Sequence, residues 1–388
     1  MKKAVVIVPT YNERDNIERA LQLLQNVFQL IDDWQMQILV VDDTSPDKTY
    51  ELVTRISQTQ KNVHLLLNHQ KAGLGGAYLK GMDYAFNTLG ADVVFEFDAD
   101  LSHDPTKIPE FLQKIDQGYD LVLGSRYVQG GGIPPNWGWH RKFLSVVGNL
   151  IIMLVLTDFR IRDWTGGYRA ITRRVYQAVE SQMRSHRFTG YTFQIGFLLK
   201  SIRKNFKVTE VPFQFVDRTK GKSKLGPEYI KNTLIYITKA RISEIINHRI
   251  FKFALVGGIG ATVQLLTLPL WRLIFPYQLA FFLAVEVAVL SNFGLNNIWT
   301  FADRKLLLGQ IPIKLIQFNL ASAGSIVIQQ LMALIGEFGI GLFNLFTIPI
   351  VDYQIDTGTI YAVSGILIGM FWNFFAYNRF IWQSKTDK

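Results

Sequence analysis

The last third of this 388-residue chain is almost free of charge, in runs too long for ordinary surface helices. Residues 253–271, 315–336 and 357–378 are uncharged runs of 19, 22 and 22 residues, and residues 277–302 carry only Glu286. A helix that spans a bilayer needs about 20 apolar residues. The pattern therefore predicts four transmembrane helices, and four such runs in succession argue against the alternative of a buried helical core. Arg304, Lys305 and Lys314 fall between the second and third runs, and Arg379, Lys385 and Lys388 follow the fourth. The opposite side offers residues 275–278 with no charge, and Glu337, Asp352 and Asp356. Counting basic residues then places both termini in the cytoplasm of a multi-pass cell-membrane protein. Glu286, inside a span, is either a functional group or the bonding partner of Asn292, Asn296 or another helix.

Up to about residue 215 the grammar differs. Short β-rich runs at 4–8, 37–41, 63–67, 92–97, 121–123 and 208–215 alternate with helical stretches at 16–30, 47–58 and 77–87. That alternation predicts an α/β domain with a largely parallel sheet, whose ligands bind beyond the carboxyl ends of the strands. The brief apolar run after Met1-Lys2-Lys3 ends at Pro9 and reads as the first strand, not a signal peptide. The expected domains are 1–225, a linker with an interface helix at 226–249, and a membrane domain at 250–388.

Charge is unevenly spread. The net of +10 divides into −6 for residues 1–119, +14 for 120–249 and +2 beyond. The acidic part suits a metal or a polyhydroxyl substrate, and the basic part suits phosphates or anionic lipid headgroups. Nucleic acid is the less fitting partner, because the basic block runs directly into membrane-grade sequence. Segment 143–156 is apolar but too short to span. Segment 229–246 sets Lys231, Lys239 and Arg241 against an apolar face. Both read as helices lying on the bilayer surface or, the first especially, as ordinary core helices. The chain holds no cysteine, which excludes disulfides and thiol chemistry.

Three polar clusters follow three successive strands: Pro9-Thr10-Tyr11-Asn12-Glu13, Asp42-Asp43-Thr44-Ser45-Pro46-Asp47 and Asp98-Ala99-Asp100. Carboxylates at i and i+2 after a strand suit a hard divalent cation that bridges to diphosphate oxygens; alone, such a pair is also what a surface turn carries. Tyr11 can stack on a base, Glu13 and Asp43 can meet base or ribose donors, and Asn12 and Asp47 can equally cap helices. Gly73-Leu74-Gly75-Gly76 lacks the Lys-Ser/Thr of a phosphate loop and reads as a helix start with close backbone contacts.

These motifs, with Asp98-Ala99-Asp100-Leu101-Ser102-His103 and Gly124-Ser125-Arg126-Tyr127, resemble family 2 inverting glycosyltransferases, nearest to the polyisoprenyl-phosphate (dolichol phosphate) mannose synthases. The four-run tail resembles the GtrA-like membrane domain fused to some of them. The resemblance implies a GT-A fold, a Rossmann-like mixed sheet, followed by interfacial helices and an all-α four-helix transmembrane domain. It carries nucleotide-sugar contacts onto Pro9, Tyr11, Glu13, Val41, Asp43, Asp98, Ala99, Asp100, Arg218 and Lys224. The metal positions, for Mg²⁺ or Mn²⁺, are Asp98, Asp100 and Ser102; Ser102 stands where some relatives have a glutamine. Arg126 and Arg141 match the lipid-phosphate positions, and with Asp100 form the catalytic set. Thr165-Gly166-Gly167-Tyr168-Arg169 departs from the Gln-x-x-Arg-Trp of processive polymerases. The implied reaction moves mannose from GDP-mannose to a polyprenyl or dolichyl phosphate, with inversion. UDP-glucose as donor, or a glycolipid-translocating or partner-recruiting membrane protein, are the alternatives.

Overall fold

The computed structural model describes residues 1–69, 73–184, 192–217, 227–348 and 353–383. It divides into two compact units, Met1–Arg241 and Ile242–Lys388.

The first unit is built on seven strands: β1 (Lys2–Thr10), β2 (Trp34–Asp42), β3 (Val63–Leu67), β4 (Val93–Glu96), β5 (Leu121–Ser125), β6 (Arg169–Thr172) and β7 (Val208–Pro212). Their order is β3-β2-β1-β4-β6-β5-β7, and only β6 runs antiparallel to its neighbours. The sheet is thus largely parallel and mixed, as expected, and β6, which the sequence reading lacked, is the strand that makes it mixed. Strand alternation sorts the core. Val5, Ile7, Leu39 and Val41 face one helical layer: α3 (Gly73–Asn87), α5 (Trp139–Leu156), α6 (Arg173–Arg184) and α7 (Thr192–Arg203). Ala4, Val6, Val8, Ile38 and Val40 face the other: α1 (Arg14–Phe28), α2 (Thr49–Thr59) and α4 (Ile108–Asp116). Strand order reverses between β1 and β4, which opens the ligand crevice of an open α/β sheet.

Gly75 shows why α3 begins on glycines, since a Cβ there would lie 2.7 Å from the Phe193 ring. Asp47, not Asn12, does the capping: its carboxylate accepts from the backbone N–H of Arg14 and of Thr49 (both 3.0 Å), the first residues of α1 and α2.

The apolar run at 143–156 belongs to the longer α5, 18 residues from Trp139. By length and composition α5 is, among the described residues, one of five helices long and apolar enough to cross a membrane. It cannot do so while the unit is folded. Ile152, Met153 and Leu156 are buried in the sheet's core, and the chain returns from it to β6, which pairs with β5. Its other face exposes Trp139, Phe143, Leu144, Val146, Leu150 and Leu154. The helix after β7, α8 (Pro227–Asn247), exposes Ile230, Leu234, Ile242 and Ile246.

The second unit holds α9 (Arg249–Arg272), α10 (Tyr277–Leu295), α11 (Ile311–Gly339) and α12 (Thr357–Ala376), with a two-stranded hairpin, β8 (Asn344–Ile348) and β9 (Tyr353–Asp356), between the last two. The hairpin is an addition to the expected four helices. Helices α10 and α12 each end in a π-helical turn, Asn296–Thr300 and Tyr377–Ile381. The two helix pairs repeat one another: Phe253 meets Phe374 and Phe318 meets Phe293, each at 5.5 Å, while Phe301 stacks on Trp382 at 4.6 Å between them. Such parallel repeats are common in polytopic membrane folds. Close packing rests on small residues: a Cβ on Gly260 would overlap Asn292, and one on Gly324 would overlap Trp372. Among the described residues no hydrogen bond joins Glu286 to Asn292 or Asn296. Full-length protein is expected to stay with the membrane pellet on alkaline carbonate extraction; its release to the supernatant would contradict membrane-embedded helices.

Candidate active site

The polar clusters meet at the carboxyl edge of the sheet. Among the described residues, three of the six non-glycine residues with positive φ, Asn12 (61°), Thr44 (53°) and Leu101 (66°), lie in the loops that follow β1, β2 and β4. Backbone strain of this kind costs about 1–3 kcal/mol per residue and gathers where the surrounding structure fixes a site. Here the fixing is visible. Asp42, fully buried, accepts from Thr10 Oγ1 and from Ser45 N and Oγ, all at 2.7 Å, and so pins the loop after β2 to the end of β1. Asp43 beside it accepts from Asn68 Nδ2 at 2.6 Å. Tyr11 and Glu13 are half-buried at the neighbouring strand end, and Pro9 and Val41 pair across β1 and β2.

Asp98 and Asp100 stand on the turn after β4. Tyr78, buried in α3, donates to Asp98 Oδ1 at 3.0 Å. His103 Nδ1 accepts from the Asp98 N–H at 3.1 Å, so its proton sits on Nε2, 3.7 Å from Asp98 Oδ2. Burial pushes the imidazole below its usual value, against the pull of Asp98 and Asp100, leaving it neutral at pH 7. Asp100 Oδ1 accepts from Ser102 N at 3.1 Å. Ser102 itself is 2% exposed, and its Oγ has no hydrogen-bond partner. A buried hydroxyl without a partner next to two carboxylates is what a hard cation's oxygen shell requires.

Arg126 follows β5. Its Nε and Nη2 make a bidentate pair with Asp163, each at 2.7 Å, and Nη2 also reaches Thr165 Oγ1 at 2.8 Å. Asp163 is fully buried; burial alone would raise its pKa, but Arg126 and backbone donors hold it below the usual carboxylate range. The same turn lies near Asp98, since a Cβ on Gly167 would lie 4.0 Å from Asp98 Oδ2. Arg141, in the first turn of α5, lies over the Trp137 ring at 3.7 Å and meets Asp217 at 3.2 Å. Val216 N bonds the Ser102 carbonyl (3.5 Å), so the segment after β7 runs along this edge. Arg218 and Lys224 lie outside the described residues.

Residues 5–180 match the description Glycosyl transferase family 2, and residues 252–382 match the GtrA/DPMS transmembrane domain. A dolichol-phosphate mannosyltransferase of Pyrococcus furiosus is 35% identical over 328 residues, which is 84% of this chain and 88% of that protein. The chain belongs to glycosyl transferase family 2. Two further members are similar over 61% of it: a polyprenol monophosphomannose synthase of Mycolicibacterium smegmatis, 37% identical over 86% of its length, and an undecaprenyl-phosphate mannosyltransferase of Micrococcus luteus, 34% identical over 93%. The protein is therefore a glycosyltransferase carrying a membrane domain.

For a family 2 transferase the edge supplies an acidic half, Asp43, Asp98 and Asp100, beside a basic half, Arg126 and Arg141. Sequence reading missed the groups that hold these in place: Asn68, Tyr78, Asp163 and Thr165. His103 sat in a quoted motif, but its role depends on a ring orientation no spacing reveals. Beneath Asp98, Glu96 is fully buried, and burial pushes its carboxyl up to about 7 despite Arg169 nearby. Arg169 donates instead to the carbonyls of Gly166 and Gln194.

Proposed function

We propose that this enzyme transfers mannose from GDP-mannose to a polyprenyl or dolichyl monophosphate at the cytoplasmic face, inverting the anomeric centre and releasing GDP. The observation that supports it is the pairing of a carboxylate edge with Arg126, just after β5, and Arg141, in the first turn of α5, whose outer face is apolar and exposed. A phosphate on a lipid chain needs that combination of cation and membrane surface.

In this reading Pro9, Tyr11, Glu13, Val41 and Asp43 hold the nucleoside, and the family resemblance assigns Arg218 and Lys224 to the diphosphate. Mg²⁺ or Mn²⁺ fits Asp98 and Asp100, with Ser102 Oγ as a third oxygen, and would supply positive charge to the departing diphosphate. Tyr78 and His103 keep the Asp98 carboxylate aimed. Arg126 and Arg141 orient the lipid phosphate. With a second pKa of about 6 that phosphate is largely dianionic at pH 7. Its oxygen can attack the anomeric carbon from the face opposite the diphosphate as the carbon–oxygen bond to the diphosphate breaks, with no proton to remove. Neutral, buried His103 is accordingly a positioning group and not a base.

Purified enzyme, a polyprenyl phosphate and a panel of radiolabelled nucleotide sugars give the test. Label from GDP-mannose should enter the organic phase only when lipid phosphate is present. Label entering from UDP-glucose instead would overturn the donor, and labelling without lipid phosphate would overturn the acceptor.

A further inference from the structure

One buried side chain braces the loop that carries Asp43 on every side. Asn68 follows β3 directly and is 4% exposed. Its N–H donates to the Asp42 carbonyl at 2.8 Å, and its own carbonyl accepts from Thr44 Oγ1 at 2.9 Å. Its side-chain Nδ2 donates to Asp43 Oδ1 at 2.6 Å, and its Oδ1 accepts from Lys80 Nζ on α3. Backbone and side chain together therefore span residues 42, 43 and 44, the stretch that includes the positive φ of Thr44. An amide can bond a carboxylate only through its NH₂ side. Lys80, which can only donate, fixes which way that amide points. With Oδ1 taken by Asn68, among the described residues no bond engages Asp43 Oδ2, the oxygen a base or ribose donor would meet.

We propose that Asn68, oriented by Lys80, is a positioning residue that sets donor affinity through Asp43. The inference rests on the assignment of Asp43 to the donor nucleoside. It predicts an effect confined to the nucleotide half of the reaction, which loosened packing alone would not produce.

The experiment uses the full-length enzyme, with GDP binding followed by titration calorimetry and KM measured separately for nucleotide sugar and polyprenyl phosphate. Asn68→Ala should weaken GDP about tenfold, the loss of one charge-assisted hydrogen bond. The KM for lipid phosphate, and kcat at saturating donor, should stay within about twofold. Lys80→Met should weaken GDP about threefold, since Lys80 is exposed and its bond is partly screened; Lys80→Arg should restore most of that loss. The double variant should match Asn68→Ala alone, because Lys80 acts only through Asn68. Normal GDP affinity in Lys80→Met, or losses that simply add in the double variant, would overturn the relay even if Asn68→Ala folds poorly. Asp43→Ala serves as the control. If it binds GDP normally, the donor assignment fails; if it loses GDP while Asn68→Ala does not, only the positioning proposal fails.

Discussion

Exchanging Asp100 for alanine is expected to lower sugar transfer by roughly 10²–10³-fold, the size of losing one preorganised group that stabilises transition-state charge. Asp100 is the cleaner of the two carboxylates to remove, because it accepts from the backbone N–H of Ser102, whereas Asp98 is the acceptor of a buried tyrosine hydroxyl. Asp98→Ala should do at least as much damage to transfer and also cost stability, since Tyr78 OH would lose its acceptor in a buried setting, worth about 1–3 kcal/mol. Chelator should reproduce the loss in the unaltered enzyme, and added Mn²⁺ or Mg²⁺ should reverse it. Ser102→Ala should weaken the metal requirement less, because a neutral hydroxyl contributes less to a hard cation than a carboxylate does. Circular dichroism and membrane association of Asp100→Ala should match the parent, so that lost activity reports on the site. Full transfer in excess chelator would remove the metal from the reading.

How much of this was legible in the sequence follows a physical division. Strand ends were legible, because apolar alternation stops where Thr10, Asp42 and Phe97 give way to polar clusters, and the parallel fold then brings those clusters to one edge. The membrane helices were legible from length and lack of charge. What escaped was whatever depends on distant pairing. Strand β6 is four residues long, and nothing local announces that Arg169–Thr172 inserts antiparallel between β4 and β5. Asp163 lies 37 residues from its partner Arg126 and sits in a loop whose sequence reads as ordinary turn chemistry. Asn68 looks like a residue ending a strand, and only the fold places it against the loop after β2. The span of α5 was read four residues short because His140-Arg141-Lys142 looks like a boundary, whereas in the structure these residues form its first turn.

Removing Asp163 should be among the most destructive single changes in the soluble unit, and for a reason separable from catalysis. Its carboxylate takes two bonds from the Arg126 guanidinium and two more from the backbone N–H groups of Arg126 and Gly166, with no exposure to solvent. Arg126, itself only 9% exposed at its side chain, would be left as a buried charge without its partner. Breaking a buried pair from one side costs about 3–5 kcal/mol, so Asp163→Ala should lower the melting temperature of the detergent-purified enzyme by several degrees and abolish transfer. The pH dependence has a definite sign. Because the folded state holds Asp163 below its ordinary pKa, the folded form binds fewer protons, and the pair's contribution is present above about pH 4 and lost as pH falls further. Asp163→Ala should therefore flatten the acid limb of the stability profile. Replacing both partners, Asp163→Leu with Arg126→Met, should recover much of the melting temperature, since no charge is then stranded. It should not recover transfer if Arg126 also serves the lipid phosphate, and GDP binding should survive in that double variant. An unchanged melting temperature in Asp163→Ala would mean the pair does not hold this edge together. Transfer restored in the double variant would show that Arg126 was needed only as the partner of Asp163.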